Sequence, residues 1–231
     1  MKLTLGLTLS LCLIAALAAN GAESAKKAAS PAAQRINPAM VPVTDDPALP
    51  RILLIGDSIS IGYTPPVRDM LKGKANVHRI LTNGGPTIRG VASLDKWLGT
   101  GKWDIIHFNF GLHDLKIMEG GKHQVSLQDY ESNLKQITAR LKQTQAKLIW
   151  ATTTPVPHGP ANPSRHLEDV QKYNAVAEKV MKDANVPIND LYTFALPKLA
   201  EIQRPNNVHF TPAGYKVLAE QVVKSLEQAM R

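Results

Sequence analysis

The sequence predicts an α/β fold in which helices cover both faces of a parallel β-sheet. Between residues 51 and 231, short apolar runs alternate with longer amphipathic runs, as in repeated β-α-β units. The short runs are largely apolar on both faces, which is typical of buried parallel strands, and each parallel neighbour needs a crossover that a helix supplies. We therefore expect chemistry where the strands end, because such sheets bind ligands at their carboxyl edge.

The apolar runs predict five strands, at residues 52–55, 77–81, 105–110, 147–153 and 186–188. The amphipathic runs predict helices at residues 66–72, 91–98 and 126–142, and two more that start near residues 164 and 211. Thr64, Ser164 and Thr211 are candidate N-caps, because a hydroxyl at a helix start accepts a hydrogen bond from a free backbone N–H.

The chain divides into three predicted segments. Residues 1–22 begin with Lys2, continue as an apolar run and end in small residues with an Ala-x-Ala site, so we predict a cleaved signal peptide and an exported protein, periplasmic or secreted. This run is short for a bilayer span, and we expect no membrane span after cleavage. Residues 23–50 are rich in Ala, Pro, Ser and Lys and are predicted to be a flexible lead-in. Residues 51–231 have the length of one domain.

Composition excludes several classes of function. The 27 Lys and Arg against 19 Asp and Glu give a net charge of +8, but the basic residues are scattered, so no nucleic-acid-binding stripe is predicted. The single cysteine, Cys12, falls in the predicted signal peptide, and chemistry must therefore rely on oxygen and nitrogen groups. The histidines lack the spacing of metal ligands, and we predict no metal site.

Residues capable of acyl-transfer chemistry follow the predicted strands. The turn Gly56-Asp57-Ser58 follows the first strand and places Ser58 at a helix start, where backbone N–H groups favour negative charge. Asn83-Gly84-Gly85 follows the second strand and Gly111-Leu112-His113-Asp114 the third, and glycine lets a backbone N–H approach an oxyanion closely. His209 lies just before the last helix, and a general base at that position can reach the end of the first strand.

Together these segments resemble the four blocks of the SGNH/GDSL hydrolase family, in order and at suitable spacing over about residues 51–230. The resemblance implies a three-layer α/β/α sandwich with a flavodoxin-like, five-stranded parallel sheet. It also implies ester hydrolysis through an acyl-serine, without a metal or cofactor. By this resemblance Ser58 is the nucleophile and His209 its base, while the N–H groups of Ser58 and Gly85, with His113, hold the oxyanion.

The sequence departs from the family at two positions. His113 stands where the family usually has an asparagine, and we expect this imidazole to replace the amide donor, with Asn109 as the other nearby amide. Asn206 stands three residues before His209, where the family usually has an aspartate, and we assign Asn206 to the catalytic site. An amide does not stabilise an imidazolium as a carboxylate does, so the site is interpreted as a Ser-His dyad.

Two alternatives to Asn206 stay open at this point. A carbonyl oxygen could receive the His209 proton, or the carboxylate of Asp190 or Asp114 could do so. We also expect Asp57, Asp114 and His158 to contact the substrate, His158 from the proline-rich loop after the fourth strand.

The leading interpretation of the function is an exported carbohydrate O-acetylesterase acting on a small-molecule or polysaccharide ester, by analogy with the family. One alternative is a lipid esterase or thioesterase, and another is a non-catalytic carbohydrate-binding or envelope protein on the same fold. Trp97 and Trp103 are candidates for a sugar site, whereas Trp150 lies within an apolar strand and is predicted to be core.

Overall fold

The five predicted strands form one parallel sheet. The computed structural model describes residues 36–157 and 164–231. The strands are β1 (Arg51–Ile55), β2 (Asn76–Arg79), β3 (Ile105–Phe108), β4 (Lys147–Ala151) and β5 (Ile188–Asn189). Their order is β2-β1-β3-β4-β5, and every neighbouring pair is parallel. The predicted α/β fold with a five-stranded parallel sheet is confirmed.

In residues 36–157 and 164–231, seven α-helices accompany the sheet. They are α1 (Ser58–Met70), α2 (Thr87–Leu98), α3 (Leu127–Lys142), α4 (Leu167–Asp183), α5 (Leu191–Ala195), α6 (Leu199–Ile202) and α7 (Pro212–Met230). Helix α1 packs against α7, and α3 packs between α2 and α4, which gives the layers of an α/β/α sandwich. No helix in the described part of the chain is both long and apolar enough to cross a membrane.

The core lies on both faces of the central strands. Positions 52–55 of β1 and 105–108 of β3 are buried without exception, as expected for strands covered on both sides. Trp150 of β4 is 0% exposed and its ring packs edge-on against Phe108 at 5.2 Å, so its prediction as a core residue is confirmed. Burying each large apolar side chain contributes roughly 1.5–3 kcal/mol, which holds the strands in a fixed register.

Residues 36–50 are packed on the domain and are not a flexible lead-in. The side-chain amide of Asn76 donates to the carbonyls of Asp46 and Leu49, and its oxygen accepts from the Asp46 N–H. Arg68 donates to the Pro38 carbonyl at 2.8 Å. The expected start of the domain at residue 51 is therefore wrong by about fifteen residues, because polar side chains of α1 and β2 fix this segment. The predicted signal peptide and residues 23–35 lie outside the described residues.

Helix α1 begins earlier than predicted, directly after the Gly-Asp turn. Asp57 is its N-cap and accepts a hydrogen bond from the Ile59 N–H at 2.9 Å. Pro65 and Pro66 indicated a helix start near Thr64, but they lie within α1. Because proline has no N–H, the carbonyls of residues 61 and 62 lack a hydrogen-bond donor within the helix. Both residues are half-buried.

Two other helix starts depend on contacts between distant residues. Helix α2 begins at Thr87, because the Asp114 carboxylate accepts a hydrogen bond from the Thr87 N–H across 27 residues of sequence. Helix α4 begins after His166, and Ser164 is not its cap. The prediction for α7 is confirmed, since the Thr211 hydroxyl accepts a hydrogen bond from the Gly214 N–H at 3.0 Å.

Candidate active site

Ser58 is the first residue of α1 and stands at the carboxyl end of the central strand β1. The turn from β1 into α1 lies very close to the turn after β2: the Gly84 N–H donates to the Gly56 carbonyl at 2.9 Å. A Cβ at Gly84 would lie 2.9 Å from the same carbonyl oxygen, so only glycine allows this approach. The first-turn N–H groups of α1 surround the Ser58 side chain with positive partial charge.

His209 reaches Ser58 from the loop before α7. Its Nε2 atom lies 2.8 Å from the Ser58 hydroxyl oxygen, although 151 residues separate them in sequence. Two hydrogen bonds of Arg204 fix this loop. Its backbone N–H donates to the His209 carbonyl, and its side chain donates to the Phe210 carbonyl. A serine hydroxyl and an imidazole at this distance can transfer a proton between them.

Asn207, not Asn206, contacts the imidazole. The Asn207 carbonyl oxygen lies 2.7 Å from His209 Nδ1 and also accepts from the His209 backbone N–H at 2.9 Å. A carbonyl acceptor at Nδ1 places the proton there and leaves Nε2 unprotonated toward Ser58.

The expectation for Asn206 is therefore wrong. Asn206 adopts a left-handed backbone with φ 52°, its side chain is exposed, and it hydrogen-bonds to no described residue. The other residues considered for this role are also engaged elsewhere: the carboxylate of Asp190 accepts from Thr193 N–H and Thr152 Oγ1 at the start of α5. The sequence offered one signal for Asn207, its position two residues before His209, but only the turn conformation decides which of the two amides faces the ring.

The surroundings of His209 favour its neutral form. Burial lowers the pKa of His209 below its ordinary value, and the positive charges of Arg204 and Arg165 lower it further, while Asp57 acts in the opposite direction. A neutral imidazole is the form that accepts a proton from serine.

The predicted oxyanion donors differ in their availability. The Gly85 N–H donates to the Asn83 side-chain oxygen at 2.9 Å, so it is already engaged in the turn that follows β2. This geometry does not support the expectation for Gly85. The Ser58 N–H belongs to the first turn of α1, where backbone donors have no intrahelical acceptor.

His113 is half-buried in the loop after β3 and lies within the electrostatic reach of His209 and Asp57. Burial lowers the pKa of His113, so its neutral form, with one N–H donor, is favoured. The loop is held from outside, because the buried Arg165 donates to the Leu112 carbonyl at 2.6 Å. Asn109, the other amide considered, donates its side-chain N–H to the Ala151 carbonyl at 2.7 Å and is thus tied to β4.

The two carboxylates expected to contact substrate have structural contacts instead. Asp57 is 2% exposed and caps α1, and Asp114 is 0% exposed and accepts from both the N–H and the hydroxyl of Thr87. Desolvation raises the pKa of Asp114 to about 6, against the lowering effect of the Thr87 hydrogen bonds. Their assignment to substrate binding is therefore not supported, because both carboxylates are buried and already accept hydrogen bonds at the starts of α1 and α2. His158 lies outside the described residues.

Within residues 36–157 and 164–231, no group of three His, Cys, Asp or Glu side chains could hold a metal ion.

Comparison with known proteins agrees with this geometry. The profile of the GDSL-like Lipase/Acylhydrolase family matches residues 54–217. No curated protein matches the chain significantly.

Solved structures with the same fold include several esterases. A lipase/acylhydrolase from Enterococcus faecalis superposes with a TM-score of 0.68 at 22% identity, covering 78% of this chain and 96% of the other. The acetyl xylan esterase AlAXEase gives 0.66 at 15% identity, over 76% and 99% of the two chains. Axe2, an acetylxylan esterase from Geobacillus stearothermophilus, gives 0.64 at 19% identity, over 77% and 94%.

Proposed function

The chain belongs to the GDSL-like lipase/acylhydrolase family and is an ester hydrolase, and from this premise we propose that it is an exported esterase that removes acetyl groups from a polysaccharide. The observation that carries the proposal is the 2.8 Å distance between Ser58 Oγ and His209 Nε2. A hydroxyl so placed is a nucleophile whose proton has an acceptor at hand.

In the proposed reaction, Ser58 Oγ attacks the ester carbonyl carbon while His209 Nε2 takes the hydroxyl proton. The oxyanion is stabilised by the Ser58 N–H, at the positive end of α1, and by the neutral imidazole of His113. The tetrahedral intermediate collapses, the C–O bond to the sugar breaks, and His209 returns the proton to the sugar oxygen. Water then attacks the acyl-serine with His209 again as base, and acetate leaves as Ser58 regains its proton.

The preference for a short acyl group is proposed from the solved structures of the same fold, two of which are acetylxylan esterases. The acetylxylan esterases of the same fold favour a sugar ester, and the apolar run of residues 1–22 supports export.

Initial rates on nitrophenyl esters of increasing acyl length test the proposal. We expect kcat/KM to be highest for the acetate, to fall steadily toward the octanoate, and to be lost in Ser58→Ala. We also expect the wild-type protein to release acetate from an acetylated polysaccharide. A maximum at the octanoate or longer would instead identify a lipid esterase.

A further inference from the structure

Four cationic side chains line one cavity beside the edge strand β2. They are Arg68, Arg79, Arg89 and Lys96. The cavity measures ≈ 500 Å³ and lies between β2, α2 and the segment around residue 43, and none of the described residues that line it is Asp or Glu. None of the four forms an ion pair with a carboxylate of the described residues. The cavity therefore carries a concentrated positive charge.

Acidic residues on the neighbouring segments do not neutralise this charge. Asp95, on the same helix as Lys96, pairs with Arg140 of α3 at 2.6 Å. Asp45 pairs with Arg51 at 2.7 Å and also contacts His78. Both carboxylates are thus engaged with groups other than the four cations, although Asp45 reaches the cavity lining through His78.

Arg79 is the most buried of the four cations. It is 4% exposed, and its Nε–H has no hydrogen-bond partner among the described residues. Its other N–H groups donate to neutral acceptors, including the Gly56 and Thr82 carbonyls, and Asp57 acts on it only at a distance, without an ion pair. Burial lowers the pKa of Arg79 to about 10. A buried guanidinium is costly unless an anion pairs with it.

Aromatic and apolar side chains complete the lining. Trp97 and Trp103 both border the cavity, together with Leu81, which is 58% exposed. One face of Trp103 is covered by the Arg51 guanidinium at 4.2 Å and Trp97 stacks on Phe110, so a sugar ring, which presents C–H bonds on its faces, would meet the remaining face of each ring.

The cavity adjoins the catalytic turn directly. The Arg89 side chain covers Gly85, whose Cβ position would lie 3.3 Å from Arg89 Cδ, and it donates to Thr82 Oγ1 at 2.9 Å. Arg79 Nη2 donates to the Gly56 carbonyl, two residues before Ser58. These two contacts place the lining of the cavity beside the turns that flank Ser58.

From this arrangement we infer that the cavity is a second subsite, which binds a negatively charged sugar unit, carrying a carboxylate or a sulfate, of the polysaccharide whose ester is cleaved at Ser58. The inference rests on the proposed polysaccharide-esterase function and adds the charge class of the substrate. Guanidinium groups match carboxylate and sulfate oxygens, and the tryptophans hold the ring.

Binding is measured without catalysis, by intrinsic tryptophan fluorescence of the Ser58→Ala protein titrated with unesterified oligosaccharides of equal length. One arm uses a uronic-acid oligomer, the second a sulfated oligomer and the third a neutral xylo-oligomer. The first variant is Lys96→Glu, in the cavity. The second, Lys224→Glu, makes the same change of charge at an exposed position of α7.

We expect at least one anionic oligomer to bind about tenfold more tightly than the neutral one, and Lys96→Glu to weaken that binding about tenfold while Lys224→Glu leaves it within about twofold. The arm that binds identifies carboxylate or sulfate. Equal affinity for neutral and anionic oligomers, equal weakening by both variants, or no binding at all would overturn the inference. Hydrolysis of nitrophenyl acetate by the wild-type enzyme, and its loss in Ser58→Ala, tests the esterase function separately from binding in the cavity.

Discussion

The side-chain oxygen of Asn207 lies 2.7 Å from Nδ1 of His209, on the side of the ring opposite to Ser58. A neutral amide therefore orients the proposed base. It selects the tautomer as a carboxylate would, but it adds no negative charge to stabilise the imidazolium formed during catalysis. Two substitutions at this position separate orientation from charge.

Asn207→Ala removes the orienting acceptor, and Asn207→Asp replaces it by a charged one of the same shape. We expect the alanine variant to lose about 10- to 100-fold in kcat, since partners that fix a ring typically contribute that much. The aspartate variant should raise the pKa of His209 and increase kcat above pH 8, where His209 is still neutral at rest. Steady-state rates on nitrophenyl acetate across pH measure both effects.

Asn206→Ala is the matched control, because Asn206 precedes Asn207 and its side chain is exposed. Its kcat should stay within about twofold of wild type, as surface substitutions usually have little effect. Loss of activity in Asn206→Ala, with Asn207→Ala fully active, would show that the assignment of the orienting amide is wrong.

The pH profile of the wild type follows from the environment of His209. Burial, with Arg204 and Arg165, lowers the pKa of His209 below its ordinary value of 6.5. The base acts when it is neutral, so kcat/KM should rise with pH as His209 loses its proton and should level off once it is deprotonated. We expect the midpoint of the acid limb below 6.5. A midpoint above 7 would contradict a base in this environment.

Asp114 should make the stability of the protein depend on pH. Its pKa is raised from 3.8 to about 6, so the folded state holds a proton that the unfolded state releases. This contribution to stability is present below about pH 4 and is lost as pH rises to about 6, on the order of 2–3 kcal/mol in total. Urea unfolding at pH 4 and pH 8 measures it.

Asp114→Asn keeps an oxygen for the Thr87 donors and cannot ionise. Its free energy of unfolding should therefore fall less than that of wild type between pH 4 and pH 8. Asp183→Asn, at the exposed end of α4, should behave as wild type. An identical pH dependence in wild type and Asp114→Asn would exclude Asp114 as its source.

His113 is proposed to donate to the oxyanion, so its removal should affect turnover more than binding. We expect His113→Ala to lower kcat by about 10²- to 10³-fold with little change in KM, as is typical for loss of one oxyanion donor. His113→Asn restores an N–H donor and should recover much of that loss. Unchanged turnover in a folded His113→Ala protein would exclude the role, and circular dichroism reports the fold.

Much of the sheet could be predicted because parallel strands leave a local signal. Apolar runs such as residues 52–55 and the cap at Thr211 depend on neighbours in sequence. The position of Ser58 and His209 followed from two motifs and the rule that chemistry gathers at strand ends. The contact between them confirms that this rule placed the two segments together.

Other features depend on contacts that no local pattern reveals. The start of α2 is set by the carboxylate of Asp114, 27 residues away, and the packing of residues 36–50 is set by Asn76 and Arg68. The choice between two adjacent asparagines is set by a single positive φ at Asn206. Such long-range or conformational determinants appear only in three dimensions.

The central claim is that His209 activates Ser58, and labelling with a fluorophosphonate tests it most directly. Intact-protein mass is measured for wild type, Ser58→Ala and His209→Ala after incubation with the reagent. We predict a single adduct on wild type, none on Ser58→Ala and strongly slowed labelling of His209→Ala. An adduct that persists in Ser58→Ala, or no adduct on a folded wild-type protein, would contradict the account.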